Sequence, residues 1–375
     1  MNSKLCEYSI DWDSISNYSE INTLTTNTKT RRLGYLKLLA LFFTENEQVS
    51  KPIFASKFES FVQDFKGELL QYKNSKGVIG KTHNGSSAEP YIDLADNLSI
   101  IKLSGNKYSP GKSFQVYLKC ANIWTTDYFF VRQFDRMYFF YTIFYNDFFF
   151  LKTILESIYG LGYASYSTLR KKFYKYLLEK LNTINLKNLA RSTRSKNLRI
   201  EKRIKNWEKP EIYLEHILMP RLNWLFDLDL IELDKNLNII HTQFGEILFA
   251  NIKFWDSALS KPLNDCTQIF EHDFLKIYRQ IFDNNINFQP LVLQNEQHIE
   301  FIKKLINSCF EYFSTLAPNR VTLSQVDEYV KYNLYWEKNI ILDTVKFRNL
   351  LKNKLSNSYI YKYFPKYKEG YIQKI

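Results

Sequence analysis

The chain has 375 residues, 45% of them hydrophobic and 17% aromatic, with 11 Gly and 9 Pro. That length exceeds what one core serves, so two or three domains are expected, and the scarcity of turn-formers argues against a many-stranded sandwich. A formal net charge of +12 points to polyanionic partners, although AT-rich codon usage raises lysine in the same way, so clustering of the charge is the sharper guide.

Residues 1–30 are rich in Ser, Thr and Asn and read as an arm. They carry acids and no apolar run, so no secretory leader is read and a cytoplasmic location is expected. The four cysteines, Cys6, Cys120, Cys266 and Cys309, are far apart and form no CxxC pair, so free thiols are expected. Leu33, Leu36, Leu39, Ala40 and Phe43 then recur at helical spacing. Pro52 sits in the first turn of a second helix whose apolar face is Phe54, Phe58, Phe61, Val62 and Phe65. A polar loop over 74–90 follows, and Tyr91, Leu94, Ala95 and Leu98 form a third stripe. Ile100, Ile101 and Leu103 predict a strand, Gly105-Asn106 a turn and Tyr108 the return.

The same order recurs. Residues 134–151 are strongly apolar, but Asp135, Arg136 and Asp147 interrupt them, so a buried helix is expected rather than a membrane span. Helical spacing continues to about residue 182, a basic insert covers 183–209, and Pro210-Glu211 begin a long helix. Residues 230–233 predict a strand, Asp234-Lys235-Asn236 a turn, residues 239–241 the return, and Thr242 the start of another helix. Near the end, Thr322 or Ser324 caps one predicted helix and Asp343 another. Residues 358–375 alternate as two strands around 365–370.

The string RLNWLFDLDLIELDKNLNIIHTQFGEILF, residues 221–249, resembles the end of bacterial winged-helix domains. Leu228, Leu230, Ile231, Thr242 and Gly245 match that family's helix-to-strand transition and its Thr-x-x-Gly step. YIDLADNLSIIKLSGNKYS is similar, with Ser109-Pro110-Gly111 in place of Thr-x-x-Gly. The resemblance covers about 60 residues and speaks to fold more than to function. It implies a mainly α chain of several winged-helix-like units with short hairpin wings, joined by helices. The expected division is an arm at 1–30, units at 31–125 and 126–255, a helical connector at 256–316 and a unit at 317–375. In general likeness the chain is similar to accessory subunits of bacterial anti-phage and anti-plasmid systems. That implies a non-catalytic, DNA-associated role beside an ATPase or nuclease subunit, with no cofactor. Protein–protein adaptors, plasmid replication initiators and transcription regulators with tandem winged helices are the alternatives.

Two basic clusters carry the DNA expectation. The first holds Lys187, Arg191, Arg194, Lys196, Arg199, Lys202, Arg203, Lys205 and Lys209 against only Glu201 and Glu208. Spaced cations among Ser and Thr suit successive phosphates, each releasing counterions when neutralised. A solvated linker is the plainer account. The second places Lys346, Arg348, Lys352 and Lys354 on a recognition helix and Lys362, Lys366 and Lys368 on its wing. Tyr359, Tyr361, Tyr363 and Tyr367 are candidates for base stacking or for packing.

Other chemistries fit worse. GVIGKTHNGSS lacks the first Gly of a phosphate loop, having Ser75 there. Asp227, Asp229, Glu232, Asp234 and Lys235 mimic a metal-dependent nuclease strand, yet Asp227 and Asp229 precede the predicted strand. His83, His216, His241, His272 and His298 never reach metal-ligand spacing.

Overall fold

The computed structural model describes residues 21, 23–70, 77–121, 129–183, 191–252, 275, 278–279, 288–291, 295–313, 317–367 and 369–375. Helix dominates, with small sheets between. The chain forms two compact units that are interleaved in sequence. One takes Met1–Thr23, Phe144–Leu218 and Asp229–Phe274; the other takes Leu24–Ile143, Met219–Leu228 and Leu275–Ile375.

The larger unit begins with α1 (Gly34–Glu45), buried from Gly34 to Phe43. Even Lys37 is enclosed, its ammonium 3.0 Å from Asp135, which also accepts from the Tyr117 hydroxyl at 2.7 Å. β1 (Val49–Ser50) leads directly into α2 (Lys51–Gln63), with Pro52 in its first turn as the sequence predicts. After α3 (Lys66–Leu70) and a loop comes α4 (Glu89–Asn97), which buries Tyr91, Ile92, Leu94 and Ala95. β2 (Ile101–Ser104) and β3 (Lys107–Pro110) form a hairpin around Gly105, and α5 (Lys112–Cys120) closes the segment. β1 pairs with β3, Val49 opposite Tyr108, giving the strand order β1-β3-β2.

The smaller unit repeats this plan. It takes α6 (Gln133–Leu161) from Phe144 onward, past a break in helical dihedrals at Asp147. Ala164 then exchanges both backbone hydrogen bonds with Ile239, at 2.8 and 3.3 Å, before α7 (Tyr166–Thr183) starts. α8 (Arg191–Lys205) is followed by α9 (Pro210–Asp227), whose residues to Leu218 belong to this unit. β4 (Ile231–Leu233) and β5 (Ile239–His241) make the hairpin, and α10 (Gln243–Ile252) follows.

Two glycines mark the same joint in both segments. A left-handed residue ends the helix before each hairpin, Ser99 at φ 57° and Asp229 at φ 62°. A methyl on Gly111 would lie 2.1 Å from the Ser99 carbonyl oxygen, and one on Gly245 would lie 1.9 Å from that of Leu230. Only a residue without Cβ lets the outgoing helix cross so close. The Thr242 hydroxyl locks the second joint, accepting from the Gly245 amide at 3.0 Å and donating to the Asp229 carbonyl at 2.6 Å. Gly245→Ala is therefore expected to cost about 3 kcal/mol, because backbone must move. Urea unfolding measures it, and a loss below about 0.5 kcal/mol would contradict the crowding.

The third segment returns to the larger unit. β6 (Gln289–Pro290) precedes α11 (Glu296–Phe313), β7 (Arg320–Thr322), α12 (Leu323–Lys338), β8 (Ile340–Ile341), α13 (Thr344–Asn353), β9 (Tyr359–Phe364) and β10 (Glu369–Lys374). β10 lies between β7 and β9, so the strand order matches that of the first sheet. α11, which falls within the stretch 256–316 read as a helical connector, packs on β7 and α12, and Asn307 accepts from the Tyr359 hydroxyl at 3.1 Å. Thr322 occupies the N-cap of α12, but its hydroxyl donates to the Gln325 side chain at 2.6 Å. Asp343 caps α13 as predicted, accepting from the amides of Val345 and Lys346 at 2.9 and 3.0 Å. Within this unit α5 lies against α12: Ser113 donates to Glu328 at 2.7 Å and Gln325 to Gln115 at 2.7 Å.

The segment before α1 is anchored through side chains that α9 contributes. Arg221 is fully buried and donates to the Thr26 hydroxyl at 2.8 Å and the Leu24 carbonyl at 2.9 Å. The Trp224 indole donates to Thr30 O at 2.7 Å. Asp227 accepts from the Leu33 amide at 2.8 Å and pairs with Arg32 at 3.2 Å. Burial pushes the Asp227 carboxyl up to about 6, against the opposing pull of Arg32 and the Leu33 amide.

Among the described residues, no helix is long and apolar enough to cross a membrane.

Candidate nucleic-acid interface

α8 turns Asn197 and Ile204 inward, with Thr193 and Ile200 half-buried on the same side. That i, i+3, i+4 spacing leaves the rest of the cylinder to solvent. Arg191, Arg194, Lys196, Arg199, Lys202, Arg203 and Lys205 are all exposed. Arg191, Arg194, Lys202 and Lys205 line one flank, and Lys196, Arg199 and Arg203 the other. Lys205 is engaged, 2.6 Å from Glu201 and 3.1 Å from the Asn182 amide oxygen. Arg191, Arg194, Arg199, Lys202 and Arg203 make no ion pair or side-chain hydrogen bond among the described residues. Lys209 is exposed just before α9, and Lys187 lies outside the described residues.

In the C-terminal segment, Phe347, Leu350 and Leu351 seat α13 on the core. Its outer face presents Val345, Lys346, Asn349, Lys352 and Asn353. Lysines suit phosphates or guanine edges, and asparagines suit adenine edges. Lys354 is exposed at the C-cap, one residue beyond the helix. On the hairpin Lys362 and Lys366 are exposed, while Lys368 lies outside the described residues. Arg348 has a different place from its neighbours. It pairs with Asp327 at 2.8 Å, and its guanidinium lies 4.7 Å from the centre of the Tyr363 ring. That commits it to bracing α13 against α12 and β9. Burial raises Asp327 to about 6, with Arg348 opposing.

The tyrosines divide likewise. Tyr359 is buried, Tyr361 and Tyr363 are half-buried, and Tyr367 is 71% exposed. Asn349, Asn353 and Phe364 escaped the sequence reading. The asparagines are four apart beside the lysines, a signal periodicity offers once the helix phase is known.

The corresponding helices of the other segments differ in charge. α4 exposes Glu89, Asp93, Asp96 and Asn97, an anionic face. α9 exposes only its first turns, and its remaining length is buried or half-buried.

The acids of the nuclease-like string have other employment. Asp227 serves Arg32 and Leu33, as above. Asp234 organises its turn, accepting from the amides of Asn236 and Asn238 at 2.7 and 2.8 Å. Those bonds to Asn238, led by its backbone amide, hold Asp234 below the usual carboxylate range. Among the described residues no three His, Cys, Asp or Glu side chains converge as metal ligands. In the loop over 77–88, the Ile79 and Gly80 amides donate to Tyr35 and Ser87 at 2.8 and 2.9 Å, and that of Thr82 donates to Glu59. Those three amides are thus engaged within the protein. Burial lowers the His241 pKa, and a ring nitrogen lies 3.1 Å from the Leu155 carbonyl oxygen. Cys120 and Cys309 are free thiols; Cys6 and Cys266 lie outside the described residues.

Scans of protein-family models, of curated proteins and of solved structures return no match to this chain.

Proposed function

We propose that the three repeated segments are winged-helix units and that the chain is a non-catalytic, DNA-associated subunit of a larger assembly, of the anti-phage or anti-plasmid kind. The exposed cations of α8 that have no partner among the described residues carry the reading. Arginines left without carboxylate partners on a helix about 22 Å long suit a run of phosphates. The lysines and asparagines of α13, with the lysine-bearing hairpin beside it, supply a helix for a groove and a wing for the flanking backbone.

Filter retention of a duplex at several salt concentrations tests this. The logarithm of affinity is expected to fall linearly with that of salt. Lys346→Gln with Lys352→Gln is expected to reduce that slope by up to about two. Retention that ignores salt, or no retention alone and with partner subunits, would remove the DNA role.

The anionic face of α4 favours a second role in the same molecule, since it repels phosphate. We assign that face to protein contact, which makes the first segment an adaptor. Capture of the partner ATPase or nuclease subunit is expected to survive nuclease digestion. Its loss on digestion would leave DNA as the sole tether.

A further inference from the structure

We propose that the solvent face of the β7-β10-β9 sheet is a stacking platform for single-stranded DNA. The inference rests on the DNA-associated reading above and extends it to a second form of the same ligand. The register sorts the side chains. Tyr359, Tyr361, Tyr363 and Ile372 share the face toward the helices; Ile360, Lys362, Phe364 and Tyr371 share the other. Strand alternation fixes this division.

The outer face combines flat rings with cations. Phe364 is 46% exposed and Tyr367, in the connecting turn, is 71% exposed. The Phe364 and Tyr371 rings are 6.1 Å apart, and the Arg320 guanidinium lies 4.2 Å from the centre of the Tyr371 ring. Lys362 and Lys366 are exposed among them. Glu369, the acid that β10 places on this face, is balanced by Lys112 at 2.8 Å and accepts from the Ser324 hydroxyl at 2.7 Å. Rings give nucleobases a surface to stack on, and interleaved cations hold the strand between them. Bases inside a duplex have their faces covered by neighbours, so this surface selects an unpaired strand. DNA is chosen over RNA because α13, on the same segment, fits the major groove of B-form DNA, whereas that of an RNA duplex excludes side chains.

Fluorescence anisotropy on the full chain tests it, with labelled oligothymidylate of about 12 nucleotides, a blunt duplex and oligouridylate as probes. Phe364→Ala with Tyr367→Ala is expected to weaken oligothymidylate binding about tenfold or more and duplex binding less than about twofold. Phe364→Trp is expected to keep the affinity, with its fluorescence quenched by the strand. Both residues are exposed, and unchanged melting establishes that the double variant is folded. Duplex binding without oligothymidylate binding overturns this inference and leaves the proposed function standing; binding of neither probe overturns both. Unchanged oligothymidylate affinity in the double variant, equal loss for the duplex, or tighter binding of oligouridylate that falls in parallel would each overturn the platform or its ligand.

Discussion

Replacing Arg191, Arg194, Arg199, Lys202 and Arg203 together by Gln is expected to weaken duplex binding by roughly 10²–10³-fold near 0.1 M salt, as about three phosphates go without a cation. The salt slope should shrink by about three at the same time. Stability should change little, since all five side chains are exposed. Two partial variants then locate the DNA on the helix. Arg191, Arg194 and Lys202 share one flank of α8, and Arg199 and Arg203 the other. A straight duplex touches one flank, so one partial variant should carry most of the loss. Equal affinity of the fivefold variant and the parent would identify α8 as a solvated face.

Arg32→Met is expected to destabilise the protein by about 3 kcal/mol or more at pH 7.5, because it strands a buried carboxylate. Arg32 and Asp227 expose only 3% and 2% of their side chains, and Arg136 is the remaining cation acting on Asp227. The pH dependence has a definite sign. Asp227 already holds its proton more tightly folded than unfolded, titrating near 6 in the fold. Such a group favours the folded state as pH falls from 6 toward 4, and that gain is lost as pH rises through 6. Without Arg32 its pKa climbs further, so the variant should recover much of its stability at pH 5. Adding Asp227→Asn should also restore stability at pH 7.5, since no unpaired charge remains. Denaturant midpoints at the two pH values decide it. An Arg32→Met variant equally unstable at both would mean that lost packing, not charge, sets the cost.

The parts of this fold with a period were legible in the sequence. The helix that carries Phe54 and Phe58, the cap at Asp343 and the hairpin turning on Asp234 follow from spacing and from side-chain acceptors. What stayed hidden was too short to have a period. β1 is two residues long, and its counterpart at Ala164 is a single bridge. Those residues became strands because a distant strand pairs with them. Arg221 is fully buried against Leu24 and Thr26, partners nearly 200 residues earlier that no local spacing points to. In the candidate interface, composition found the cations of α8, whereas the diversion of Arg348 to Asp327 depends on a neighbour 21 residues away.

In each of the three repeated segments the strand at the centre of the sheet is the one encoded last: β3 between β1 and β2, Ile239 of β5 between Ala164 and β4, and β10 between β7 and β9. On a ribosome the two flanking strands would therefore emerge with nothing to join them. Each of these sheets is completed at one moment, when its central strand leaves the exit tunnel. For the third sheet that moment comes with Glu369–Lys374, so β7 and β9 would stay apart until those residues have emerged from the tunnel.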